Sequence, residues 1–175
     1  MSEHPVVRQV APQYVARPGR LTYEDYCRMP AGNRYELVEG DIRMTPSPSV
    51  AHQEISKRLE MLLVSWIEGR GLGKVYDAPI DVLLSHRNVV QPDILYVSKE
   101  RLEIVREANI KGAPDLVVEI LSPSDEEWDR VTKRELYARY GVKEYWIVDP
   151  GAKSIEVSQW KDGDLVTVRV HVAPA

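Results

Sequence analysis

Cysteine is almost missing from this chain: Cys27 is the single one among 175 residues. One thiol cannot close an internal disulfide or build a thiolate metal cluster, which favours a reducing, cytoplasmic setting. Long apolar runs are missing too. None approaches the roughly 18 residues that a bilayer-spanning helix needs, which argues against a membrane protein. Residues 1–20 carry no cationic stretch followed by an apolar one; they are polar, hold Pro5, Pro12 and Pro18, and read as a flexible arm. Neither sign of charge is in large excess, since the formal net charge is −4. A chain so balanced meets nucleic acid only through a local basic patch or through bound cations. No long repeat or low-complexity tract divides it. With 43% apolar and 29% charged residues, the chain has the make-up of a soluble globular protein, with one domain and its own core over 21–175.

What is present falls into alternating helix and strand signals. Residues 21–26 have the layout of a helix start, with Thr22 as cap, Asp25 as its reciprocal partner and Leu21 placed to staple against Tyr26. Pro30 and Gly32 end that short helix. Residues 34–38 and 41–44 flank Glu39-Gly40, a tight-hairpin pattern. Ser47-Pro48-Ser49 opens the longest helix, with Ser47 as cap, Pro48 in the first position, and Gly69 and Gly71 as stops. Ile55, Leu59, Leu62, Leu63, Trp66 and Ile67 form a stripe of helical period on it, and His52 lies at the inward end of that stripe.

Strand-like runs follow at 74–76, 80–84 and 94–97, and a short helix is expected over 99–106. Residues 116–121, entered through Gly-Ala-Pro, read as a buried strand. A second long helix is expected from Ser122-Pro123-Ser124 to Tyr140, with Gly141 as its left-handed cap. Trp128, Leu136 and Tyr140 fit one inward stripe on it only loosely. Residues 145–148 form another buried strand, and 155–160 with 165–171 alternate strictly around Asp162-Gly163 as a final hairpin. The order predicts an α/β domain: a mixed β-sheet flanked by helices, with β-hairpins at both ends and a parallel crossover from 116–121 to 145–148.

Glu119 interrupts the apolar run 116–121. A carboxylate in the middle of a sheet is costly unless it is paired or binds a cation. Asp93 follows Pro92 where a strand begins, and neighbouring strands lie about 4.8 Å apart. Two such carboxylates could supply the hard oxygen ligands that Mg²⁺ takes. Asp115, four residues from Glu119 on one strand, is roughly 13 Å away, too far to share an ion. Leu121 stands where a Glu-x-Lys pattern would place its lysine. Lys133, one helical turn after Asp129, could instead reach over the strand end to hold a water or neutralise charge at a phosphate.

Plainer readings compete at each position. Glu119 could be a structural salt-bridged residue and Asp93 a turn cap. Lys133 could pair with Asp129 in solvent, and Glu36 could pair across its hairpin. His52 reads as a hydrogen-bonded histidine at the core edge. Lys57, Arg58, Arg130 and Arg134 suit a solvated face better than a phosphate track, and Trp146 and Trp160 suit core and sheet face.

Four segments carry a family likeness: Arg34-Tyr35-Glu36-Leu37-Val38-Glu39-Gly40, Val90-Gln91-Pro92-Asp93, residues 112–124 (GAPDLVVEILSPS), and Lys143-Glu144-Tyr145-Trp146-Ile147-Val148-Asp149-Pro150. Together they resemble the PD-(D/E)xK nuclease superfamily and, more closely, its Uma-type family, over roughly 21–165. The resemblance implies a restriction-endonuclease-like fold and a hydrolase that cuts DNA with Mg²⁺, or Mn²⁺ in its place. It further implies Asp93 and Glu119 as metal ligands, Lys133 as a lysine moved from strand to helix, and Glu36 as an auxiliary acid. A homodimer is expected with it, because two strands need two cuts. Two other readings remain: an inert nucleic-acid- or protein-binding module that kept the fold, in line with the pI of about 5.6, and a glycosidase using Asp93 and Glu119.

Overall fold

The computed structural model describes residues 21–30 and 32–174; the arm expected over 1–20 lies outside them. Thr22 begins α1 (Tyr23–Tyr26), and Asp25 accepts hydrogen bonds from both the Thr22 amide and hydroxyl at 3.0 Å. Then β1 (Arg34–Val38) and β2 (Asp41–Thr45) pair antiparallel through Glu39 and Gly40, at φ 53° and 83°. Two positive φ values give the turn whose twist suits a two-residue hairpin. Glu39 is not a glycine, and its backbone is held from outside. Asn88 Oδ1 accepts from its N–H at 2.8 Å, and Arg87 donates to its carbonyl at 3.2 Å.

The long helix α2 (Val50–Ile67) starts two residues later than expected. Its cap is Ser49, whose hydroxyl accepts from the His52 amide at 3.2 Å; Ser47 precedes Pro48, a position biased away from helical backbone. Next come β3 (Gly73–Asp77), β4 (Val82–Ser85), β5 (Asn88–Val90) and β6 (Ile94–Ser98). A 3₁₀ segment, Lys99–Ile104, replaces the helix expected over 99–106; Val105 turns extended and ends it. Then follow β7 (Ile110–Lys111), β8 (Leu116–Ile120), a π-helical turn (Trp128–Lys133), α3 (Arg134–Tyr140), β9 (Glu144–Asp149), β10 (Ser154–Lys161) and β11 (Asp164–Val172). The β10–β11 hairpin turns through Asp162 and Gly163, both at positive φ, and a bulge between Val157 and Ser158 breaks the strict alternation expected there.

The strands build two sheets where one was expected. Their orders are β2-β1-β5-β4-β7 and β11-β10-β9-β8-β6-β3. Pro92 sits between β5 and β6; with no N–H to give a ladder, it ends one strand and lets the chain pass to the other sheet. β8 and β9 pair in parallel, as the crossover pattern predicted. Alternate β8 residues enter different cores. Leu116, Val118 and Ile120 meet Ile55, Leu59, Leu63 and Ile67 of α2. Val117 meets Leu136 and Tyr137 of α3, together with Val82 and Val90 of the first sheet. The α2 stripe is narrower than predicted, for Leu62 and Trp66 are 68% and 60% exposed. Trp66 instead carries the Arg70 guanidinium 3.6 Å from its ring centre.

Asp115 is a structural acid. It is buried, accepts from the Ser98 amide at 2.8 Å and Arg101 at 3.0 Å, and pairs with Lys143. Burial pushes its carboxyl up, but the bonds from Lys143, Ser98 and Arg101 outweigh that and hold it at about 2. Asp115→Asn is expected to lower stability by about 2 kcal/mol at neutral pH. Because the folded value lies below the unfolded one, that contribution is complete above the ordinary aspartate range and fades as pH falls toward 2. Chemical denaturation of both proteins between pH 2 and 7 checks this.

Candidate active site

Glu119 shares strand parity with Val117, so it points to the side of the sheet that α3 covers, not to α2. What meets it there comes from the π-helical turn. On an α-helix, residues five apart lie about 140° from one another; a π-turn brings them nearly into line. Trp128, Asp129 and Lys133 therefore all face inward, which is why the expected helix showed only a loose stripe. Asp129 and Lys133 are 4% and 5% exposed. The solvated lysine of the plainer reading is absent.

The Lys133 ammonium lies 2.9 Å from Glu36 Oε1, 2.9 Å from Glu119 Oε1 and 3.5 Å from Asp129 Oδ1. Tyr137 donates its hydroxyl to Glu119 Oε1 at 2.7 Å. Glu36 also accepts from the Gln91 amide at 3.0 Å and from Trp128 Nε1 at 3.2 Å. It does not pair with Arg43, its cross-strand neighbour. Arg43 reaches Asp125 and lies 4.5 Å over the Trp128 ring.

Asp93 sits one step beyond the Ile94–Val118 register pair, which sets it beside Glu119 on the adjacent strand. Its Oδ2 accepts from the Ile120 amide at 2.8 Å and lies 3.1 Å from His52 Nε2. His52 Nδ1 is buried without a hydrogen-bond partner.

Electrostatics follow from the burial. Loss of water raises the Glu119 carboxyl well above its usual range, against the pull of Lys133. The same cause raises Asp129 to about 6. Lys133 loses water as well, but Glu119, Glu36 and Asp129 hold it charged, well above the ordinary lysine value. The hydrogen bond to Asp93 raises His52. One ammonium thus faces three buried acids, and Glu119 and Asp129 hold on to protons.

A cavity of about 340 Å³ opens onto this cluster. Asp93, Glu119, Lys133 and Glu36, the four residues singled out from the sequence, all line it, and Asp115 does not. Its walls also include His52, Gln91, Asp129 and Trp128, and Ser47-Pro48-Ser49 and Ser122-Pro123-Ser124 belong to the lining as well. Sequence reasoning passed over Asp129, Tyr137 and Gln91 as site residues. Asp129 and Tyr137 each lie four residues from Lys133, a spacing that could have flagged them. Of the basic residues weighed as a track, Arg130 and Arg134 are bound to Glu126, Asp149 and Glu156, and none of the four lines the cavity.

Comparison with known proteins gives the family and the fold. Residues 22–175 match the sequence model of the family described as "Uma2: Putative restriction endonuclease". The chain belongs to the Uma2 family. An uncharacterised protein of Synechocystis sp. is 28% identical to this Uma2 chain over 149 residues, covering 83% of it and 76% of the relative. A crystal structure from Anabaena variabilis, titled as that of a "putative nuclease belonging to DUF820", superposes with a TM-score of 0.73. That likeness covers 89% of this chain and 86% of the other at 19% identity, and so speaks to the fold.

Removing the lysine tests the charge cluster. Lys133→Met leaves the buried carboxyl groups of Glu36, Glu119 and Asp129 without their cation, at an expected cost of about 3–5 kcal/mol near pH 7. Acids with folded values raised above the unfolded ones destabilise increasingly as pH rises through those values. The deficit relative to wild type should therefore shrink between pH 7 and pH 5, as read by urea denaturation.

Proposed function

We propose that this Uma2 protein is a metal-dependent endonuclease of the PD-(D/E)xK kind, hydrolysing phosphodiester bonds of DNA. The observation that carries this reading is the convergence of Asp93, Glu119 and Lys133, with Glu36, on one cavity. Asp93 and Glu119 would hold Mg²⁺, with Mn²⁺ as substitute. The donor set suits such an ion, because it consists of hard carboxylate oxygens. Among the described residues, no three His, Cys, Asp or Glu side chains converge as a metal cage. Two carboxylates are nonetheless what Mg²⁺ commonly takes from a protein, since it keeps several waters. Among the described residues, the contacts at Asp93 Oδ2 and Glu119 Oε1 leave the other oxygen of each carboxylate for a cation. Such an ion supplies Lewis-acid polarisation of the phosphate and a water of lowered pKa.

The chain's own residues supply the rest. Lys133, held charged by the acids, places positive charge beside Glu119, where negative charge grows on the phosphate. Tyr137 and Lys133 both fix Glu119 Oε1, so the carboxylate presents one orientation. His52 and the Ile120 amide do the same for Asp93. Glu36 anchors Lys133 from behind while Gln91 and Trp128 anchor Glu36. Two copies would act together on a duplex, and the exposed valines of the edge strand β11, Val166, Val168, Val170 and Val172, offer a pairing surface. A cytoplasmic site of action goes with this reading; no helix among the described residues is long and apolar enough to cross a membrane.

A second reading, an inert module that binds nucleic acid or protein, draws on Glu119 being only 3% exposed and already bonded to Lys133 and Tyr137. Calorimetric titration with millimolar Mg²⁺ or Mn²⁺ separates the two. Under the nuclease reading, heat of binding appears and disappears in Asp93→Asn. Cleavage of plasmid DNA should require the metal and fall roughly 100-fold or more in Glu119→Gln and Asp93→Asn. Equal cleavage by wild type and Glu119→Gln would sink the proposal.

A further inference from the structure

Three permanent cations line the cavity: Lys133, Arg43 and Arg34. Lys133 is committed to Glu36, Glu119 and Asp129. Arg43 is committed to Asp125, to the Ser124 carbonyl and to the face of Trp128. Arg34 differs. Among the described residues its bond is a single one, from Nε to Gln91 Oε1 at 3.1 Å, and it joins no ion pair. The two terminal amino groups of its guanidinium are left to other partners. Arg34 and Glu36 are two apart on β1, so both point to the same face and into the cavity. The Arg34 partner Gln91 is two residues from Asp93, and all three line the cavity, which puts Arg34 on the Asp93 side.

The lone bond is built to aim the guanidinium. Gln91 Nε2 lies 2.8 Å from Asp81 Oδ1 and 3.2 Å from the Tyr26 hydroxyl, which itself donates to Asp81 at 2.7 Å. A carboxylate accepts only, so the amide nitrogen of Gln91 must face Asp81. Its oxygen must then face Arg34, and this side-chain amide has one orientation. The Gln91 backbone amide meanwhile holds Glu36 at 3.0 Å. One residue therefore sets both the anchor acid of the lysine and the direction of the arginine fork. A planar guanidinium with free terminal donors, fixed through Nε, is suited to two oxygens of one phosphate.

The geometry points to Arg34 as the substrate anchor of this pocket: it receives the non-bridging oxygens of a phosphodiester beside Asp93, with Gln91 as its positioning residue. The inference rests on the phosphodiesterase reading and names the contact by which the nucleic-acid backbone is held.

The test uses the full chain, a fluorescein-labelled DNA oligonucleotide, and fluorescence anisotropy with Ca²⁺ in place of Mg²⁺, at several salt concentrations. Arg34→Gln should weaken binding roughly tenfold and lower the salt slope by about one phosphate contact. Arg34→Lys, which keeps the charge and loses the fork, should fall between, and Gln91→Leu should weaken binding less than Arg34→Gln. Arg106→Gln, a like charge loss on an exposed loop away from the cavity, should bind as wild type. In Mg²⁺-dependent cleavage the Arg34→Gln loss should lie mainly in KM. Thermal melts confirm folding, and Arg34→Lys carries the test should Arg34→Gln not fold. Wild-type affinity and salt slope in Arg34→Gln or Arg34→Lys, with wild type binding and cleaving DNA, would overturn this inference alone. No binding and no cleavage by wild type would overturn it together with the nuclease reading.

Discussion

The buried ammonium of Lys133 is the contact on which the rest depends. It gathers one carboxylate from β1, one from β8 and one from the π-helical turn, and so joins the two sheets and the crossover helix at a single point. Each of those acids is at least 96% removed from solvent. Such burial is tolerable only while the cation is present. The hydrogen bonds around it, from Tyr137, Trp128 and the Gln91 amide, complete the coordination that bulk water no longer provides. An arrangement this expensive adds little to stability over an apolar core of the same volume. The cluster stands at the cavity wall.

The position of the site follows from the way the chain changes sheets. β5 belongs to the first sheet and β6 to the second, and Gln91-Pro92-Asp93 is the passage between them. Residues at such a passage lie at the strand ends, where side chains and main chain can face open space instead of another layer. Asp93 and Gln91 flank Pro92 and both line the cavity. The π-turn plays the same part on the opposite wall. Widening the helix by one residue costs regular hydrogen bonding but aims Trp128, Asp129 and Lys133 into one space, and π-turns recur at functional sites for this reason.

Much of this was legible in the sequence, and the limits have physical causes. A short apolar run entered through Gly-Ala-Pro identified 116–121 as a strand and made Glu119 anomalous, and interstrand spacing favoured Asp93 over Asp115 as its neighbour. Both pairings are visible because strand geometry is regular and local. The reach of Lys133 could be guessed but not its complete burial, because helical period was assumed through residues that form a π-turn. The plainer reading paired Glu36 across its hairpin, yet its side chain turns to groups 55 and 92 residues distant, Gln91 and Trp128. Contacts of that sequence separation have no local signature. The same holds for the division into two sheets, which a single proline at position 92 brings about. Leu62 and Trp66 fell on the apolar stripe by spacing, but both stay largely exposed on α2.

The acidic pI of about 5.6, which weighed for an inert module, is a poor guide to substrate when taken over the whole chain. The cavity is the relevant volume. Glu36, Asp93, Glu119, Asp125 and Asp129 line it against Arg34, Arg43 and Lys133, so in formal charges five acids face three permanent cations. Burial holds protons on Glu119 and Asp129, so the formal surplus of acids is not a fixed negative charge that a phosphodiester must overcome. At the proposed metal site, divalent charge held by Asp93 and Glu119 would displace such protons and add to the attraction of the arginine fork for the phosphate. Binding of a nucleic-acid backbone and binding of a cation are then one coupled equilibrium, each raising the affinity of the other by the same factor. An acidic pocket in a slightly acidic protein is therefore compatible with a nucleic-acid substrate, on the condition that metal and phosphate arrive as partners.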